Sequence, residues 1–243
     1  MSITVSSEPF IVTATINRPA AMNAVNFDVM ERLESLLDEL EQDKELRLFV
    51  FTGTGKSFIS GGDLKEFHQI KDATGAKEMT RRMIQILNRI ENLPFWTLAA
   101  INGDAYGGGW EMVLAFDFRV ASSSANIGFT QGKFYLPPGW GGIKKLTDTV
   151  GRSRALFWLG SQKVINAKEA RESGFIQEYF DELLYHKKLE ILKEHLILND
   201  RDFITYLKNH KFQHTLDEIE PFSRFWESDE HFKRVNEFLN KQI

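Results

Sequence analysis

Up to about residue 140 the chain alternates short apolar runs with amphipathic helical patterns, and that alternation confines it to an α/β architecture. Residues 10–16 alternate and are rich in Val, Ile and Thr, which reads as a strand ended by Asn17-Arg18-Pro19. Phe27, Met30, Leu33, Leu37 and Leu40 recur at helical spacing behind Asn26, an N-cap residue. Met79, Met83, Ile86, Leu87 and Ile90 repeat the pattern until Pro94 stops it. Residues 48–52, 96–101 and 118–121 read as further strands, and Asp63 opens a helix. Beyond Gly141 helical patterns take over, at 143–150, 154–159, 167–172, 183–198 and 232–239. No Pro/Gly-rich linker separates the halves. The expected organisation is an α/β core over 1–180 with a helical C-terminal region over 181–243.

Composition excludes several classes of function. At 243 residues with 42% hydrophobic and 26% charged side chains, the chain can bury a sizeable core and is not disordered. Its 30 Lys and Arg against 34 Asp and Glu give no general attraction to nucleic acid. Cysteine is absent, which removes disulfides, thiolate nucleophiles and Cys-based metal sites and fits a reducing compartment. The N-terminus carries no secretory pattern, and the apolar stretch at 95–101 is far below the roughly 18 residues of a membrane span. A soluble, cytoplasmic protein with no membrane partner is expected.

Three familiar motifs fail. Gly53-Thr54-Gly55-Lys56-Ser57 resembles a phosphate loop, but Val50 stands where that loop needs its first glycine. His210 and His214 have the spacing of a zinc pair, yet Lys211 replaces the catalytic Glu and no third ligand is evident, so no metal is expected. Ser122-Ser123-Ser124 lacks the glycines of a nucleophile elbow.

Two glycine turns survive as a constellation: Ser60-Gly61-Gly62-Asp63-Leu64 and Gly107-Gly108-Gly109-Trp110-Glu111, each leading into a helical pattern. The first N–H groups of a helix are unpaired, and two of them converging on one carbonyl oxygen would make an oxyanion hole. Glu111 follows Gly108 by three residues, hence on the same helical face. A carboxylate in so apolar a segment has to be partnered or functional.

These residues carry a resemblance to the crotonase (enoyl-CoA hydratase/isomerase) superfamily. The matching segments begin Asn17-Arg18-Pro19-Ala20-Ala21-Met22-Asn23-Ala24, Phe58-Ile59-Ser60-Gly61-Gly62-Asp63-Leu64-Lys65 and Ile101-Asn102-Gly103-Asp104-Ala105-Tyr106-Gly107-Gly108-Gly109-Trp110-Glu111. Asp117-Phe118-Arg119-Val120-Ala121 and Pro138-Gly139-Trp140-Gly141-Gly142 follow, in order and spacing over about 10–180. The resemblance implies a spiral of ββα units with a helical C-terminal trimerisation region, assembled as a homotrimer or a dimer of trimers. It implies an acyl-CoA or acyl-carrier-protein thioester as ligand, with coenzyme A entering only as part of the substrate and no other cofactor. By position Gly62 and Gly108 would donate to the thioester oxygen. Ala20, Ala21, Met22, Ser60, Gly62, Asp63, Leu64, Lys65 and Gly108 would line the CoA and substrate site. Glu111 matches the first of two hydratase glutamates.

The second glutamate is missing. Gln131 stands in its place, twenty residues on, and its amide does not titrate near neutral pH. Lys133 and Tyr135 are close in sequence and could titrate in its stead; the preferred reading is a surface lysine and a packed tyrosine. Three functions therefore stay open: an acyl-CoA lyase working through an enolate, an ordinary enoyl-CoA hydratase of fatty acid oxidation in which Gln131 orients water, and a non-catalytic acyl-CoA- or RNA-binding relative. Decarboxylation of a malonyl-type thioester leads the first, because CO₂ loss makes the enolate without a base. The Gly139-Trp140-Gly141-Gly142 turn also resembles one in crotonase-type acyl-CoA decarboxylases.

Overall fold

The computed structural model describes residues 1–209 and 215–240. Two strands open it, β1 (Ile3–Glu8) and β2 (Ile11–Ile16), followed by α1 (Phe27–Gln42). Then come β3 (Leu48–Gly53), β4 (Ser57–Ile59), α2 (Leu64–Phe67) and α3 (Ala73–Glu91). The central part holds β5 (Trp96–Ile101), β6 (Asp104–Tyr106), α4 (Gly108–Val113), β7 (Phe118–Ser122) and β8 (Asn126–Gly128). It continues through α5 (Gly142–Val150), α6 (Arg152–Gly160), β9 (Val164–Asn166), α7 (Ala167–Glu172) and β10 (Glu178–Phe180). The last helices are α8 (Tyr185–Leu196), α9 (Arg201–Asn209), α10 (Ile219–Trp226) and α11 (Asp229–Asn240).

The strands form a six-stranded sheet, ordered β1-β2-β3-β5-β7-β10, and a four-stranded sheet, ordered β4-β6-β8-β9. All neighbours are parallel except β1 with β2 and β8 with β9. Consecutive strands β3–β4, β5–β6 and β7–β8 each give one member to the large sheet and one to the small. That repeated step is the expected ββα spiral. Alternation along β3 explains how the large sheet is covered on both faces. Phe49 and Phe51 point into the main core with α1 and α3, whereas Leu48 and Val50 join Leu98, Val120, Tyr185 and Leu189 under α8.

The strongest helical patterns fold as read. Asn26 caps α1 by accepting the Val29 N–H at 3.0 Å. Helices dominate beyond Gly141 as expected, and two short strands unread in the sequence, β9 and β10, lie among them. Each is three residues long, too short for a period of two to register. β1 was not legible either, because five of its six residues are exposed on an edge strand.

The chain divides into two compact units, 1–208 and 209–243. Within the second, α10 and α11 meet through Trp226 and His231, whose rings lie 4.7 Å apart, and Ser228 Oγ accepts the His231 N–H. His210 and His214 lie outside the described residues. No helix among the described residues is long and apolar enough to cross a membrane.

Candidate active site

The first glycine turn leaves β4 and is tied to the loop before α1. Ser60 donates its N–H to the Met22 carbonyl, Val25 donates to Gly61, and Asp63 donates back to Val25. Gly61 holds φ +111°, a value that a side chain would resist. Arg18 fastens the arrangement: its guanidinium donates to Asp63 Oδ2 at 2.8 Å and to the Ala24 carbonyl. Asp63 in turn caps α2 by accepting the Lys65 N–H. The buried Asn23, at φ +56°, donates to the Thr54 and Ser57 carbonyls and so binds the same loop to β3 and β4.

The second turn leaves β6 through Gly107, φ +53°, and enters α4 at Gly108. Here close approach dictates the sequence. A Cβ on Gly109 would stand 2.1 Å from the Ile59 carbonyl oxygen, and one on Gly61 3.2 Å from the Gly108 nitrogen. The two turns therefore touch. Among the described residues neither the Gly62 nor the Gly108 N–H donates a hydrogen bond. The indole of Trp140 packs across both glycines, and Phe67 packs against Gly62.

Glu111 sits one turn beyond Gly108 and is 2% exposed. Its Oε2 accepts the Trp140 N–H at 2.7 Å and the Gly142 N–H at 3.0 Å. Its Oε1 accepts the Gly139 N–H at 3.3 Å and the Gln131 side-chain amide at 2.9 Å. Gln131 cannot turn freely, since its Oε1 accepts the indole N–H of Trp110 at 3.0 Å. Trp110 is itself buried and packs against the Phe129 ring, 5.0 Å away. Burial pushes the Glu111 carboxyl above the usual glutamate range, and the backbone N–H donors with Gln131 pull only part of the way back.

The family model described as enoyl-CoA hydratase/isomerase matches residues 7–237. The chain belongs to the enoyl-CoA hydratase/isomerase family. It is 33% identical over 178 residues to the short-chain-enoyl-CoA hydratase of Clostridium acetobutylicum, covering 73% of this chain and 68% of that protein. It is 33% identical over 192 residues to the mitochondrial methylglutaconyl-CoA hydratase of Homo sapiens, covering 76% of this chain and 56% of the human one. Its fold superposes on an enoyl-CoA hydratase structure from Bacillus anthracis with a TM-score of 0.90 and 27% identity, covering 99% of this chain and 97% of that one.

Within this family member the other expected site residues fall around the same turns. Ala20 and Ala21 form a 3-10 turn, Met22 follows at φ +49° and is exposed, and Ser60 Oγ reaches the Ala21 carbonyl. Leu64 and Lys65 are exposed at the start of α2. Lys133 is on the surface as read, but Tyr135 is 98% exposed rather than packed, because the αL turn that ends its 3-10 segment throws the ring outward. Three contributors went unread in the sequence: Arg18 as the tie, Trp110 as the anchor of Gln131, and the Trp140 ring over the glycines. Each stands within one of the matching segments, and that context was their sole hint. Two cavities, of about 270 and 340 Å³, lie against Arg89 and Pro94 and between Phe27, Ile70 and Met79; neither is lined by Gly62, Gly108 or Glu111. Among the described residues no three His, Asp or Glu side chains converge as a metal site.

Proposed function

We propose that this family member forms and stabilises an enolate on an acyl-CoA thioester, and that its leading reaction is decarboxylation of a malonyl-type thioester. The Gly62 and Gly108 amides would donate to the thioester oxygen, and donors fixed in a water-poor site are worth far more than in water. Ala20 to Met22, Ser60, Asp63, Leu64 and Lys65 would contact the CoA portion, or the equivalent arm of an acyl carrier protein. Breaking the C–C bond leaves its electron pair as the enolate, CO₂ departs, and Glu111 returns a proton to the α-carbon. Its carboxyl, held high by burial, suits an acid.

The observation that carries this choice is Gln131. Both ends of its amide are engaged, by Trp110 and Glu111, and an amide does not titrate near neutral pH, so it supplies no second acid or base. Syn hydration asks two groups to manage the protons of water and α-carbon, and of the two positions concerned, 111 and 131, only Glu111 titrates. A second reading, an ordinary enoyl-CoA hydratase, is favoured by the names of the two relatives above. The test is mass-spectrometric scoring of purified protein against malonyl-type and enoyl-CoA thioesters. Loss of CO₂ supports decarboxylation. Crotonyl-CoA hydration at family-typical rates, abolished by Glu111→Gln, overturns it, and binding without turnover would instead mark a non-catalytic acyl-CoA-binding relative. The same reading carries assembly as a homotrimer or a dimer of trimers through the helical region from residue 181, in a reducing compartment such as the cytoplasm.

A further inference from the structure

We infer that Trp140 is the residue that limits the size of the acyl group at this site, restricting it to short acyl thioesters. A Cβ on Gly108 would stand 2.2 Å from Cζ3 of the Trp140 ring and 2.6 Å from both Cε3 and Cη2, and one on Gly62 3.6 Å from Cζ2. The six-membered half of the indole thus spans the two glycines whose amides are unpartnered, and the residue is only 6% exposed. The Phe67 ring stands 2.7 Å from the same hypothetical Cβ on Gly62. Two aromatic rings therefore border the glycines that carry the amides.

The indole cannot be withdrawn by shifting its backbone. The main-chain N–H groups of Gly139, Trp140 and Gly142 are all held by the Glu111 carboxylate. An acyl group entering from the amides must therefore lie along the edge of the ring or force the side chain to another rotamer. Each methylene added on that side meets the ring, so short acyl groups are the better fit. Discrimination by pocket shape of about 10-fold or more follows from misfits of this size.

The inference rests on the proposal that a CoA thioester binds at Gly62 and Gly108. The experiment is calorimetric titration of wild type, W140A and W140F with acetyl-, butyryl- and octanoyl-CoA, and with free CoA as the control without an acyl group. Wild type is expected to bind octanoyl-CoA at least about 10-fold more weakly than butyryl-CoA, with W140A closing that gap and W140F falling between. W140F serves if W140A fails to fold, because the contacts to both glycines come from the outer ring atoms that phenylalanine lacks. The same chain-length profile in wild type and W140F overturns the Trp140 assignment while leaving the CoA site standing. Failure of wild type to bind CoA or any thioester overturns the CoA site itself and this assignment with it.

Discussion

Glu111 is the residue on which most of the chemistry turns. Four N–H donors meet its two oxygens in a place almost without water, so a glutamine there would turn part of its own NH₂ toward donors. Glu111→Gln should cost about 1–3 kcal/mol in urea denaturation, the range for a buried polar group left without its partner. The sign of its pH dependence follows from the raised folded-state value. A carboxyl whose pKa is higher folded than unfolded adds stability below the ordinary glutamate range and loses it as pH rises through the folded value. The wild-type advantage over Glu111→Gln should therefore shrink from pH 4 upward, and an advantage that grows with pH would contradict the assignment. Gln131→Glu keeps the acceptor for Trp110 but sets a second carboxylate where an N–H now meets Glu111 at 2.9 Å. The two carboxyls would hold each other's pKa up, so this variant should be less stable at pH 8 than at pH 5. It should also gain crotonyl-CoA hydration by about 10²-fold, the contribution of a positioned acid–base group. No gain would mean that Gln131 is not what withholds hydration.

At the scale of elements, the site depends on loops being held together rather than on any single helix. Arg18 joins the loop before α1 to the start of α2 through Asp63, with both side chains largely shielded. The hydrogen bond from Arg18 keeps the Asp63 carboxyl below the usual aspartate range. Such a group adds stability above its unfolded value and loses it as pH falls through the folded one. Arg18→Met should cost about 2 kcal/mol at pH 7, the scale of a charge-assisted hydrogen bond. The penalty should fade toward pH 2 in thermal melts, and an equal penalty at both pH values would mean that the Asp63 contact contributes nothing. The glycine turns make the complementary point. Gly109 is fixed by a carbonyl oxygen that cannot move away, while the wall above Gly108 is a side chain.

On the scale of the whole molecule, the α/β unit is closed on both faces of its large sheet, whereas α10 and α11 carry aromatic side chains to the surface. Ile219, Phe222 and Trp226 recur at three and four residues along α10, so they share a face, and Phe222 and Trp226 are 61% and 55% exposed. Phe232 and Phe238 are exposed on α11. An apolar face of that kind ordinarily finds a partner. Light scattering should report a trimer or a multiple of three, and Phe222→Ser with Trp226→Ser should lower the mass. A monodisperse monomer of wild type at micromolar concentration would refute the assembly.

The sequence by itself determined the α/β class, the long amphipathic helices and the two glycine turns, because these rest on local periodicity and on backbone shapes that few residues adopt. The family followed from the order and spacing of those same segments, and that resemblance singled out Gln131 as standing where hydratases carry their second glutamate. The three-residue strands β9 and β10 were decided only by pairing, since so short a run has no period of its own. Tertiary structure also decided what Gln131 does with its two ends, because Trp110 and Glu111 approach it from twenty-one and twenty residues away. It decided, finally, that Trp140 lies over Gly62 and Gly108. No local rule relates a ring to two glycines far behind it in the chain; only the packing of the Gly139–Gly142 turn onto Glu111 brings them together.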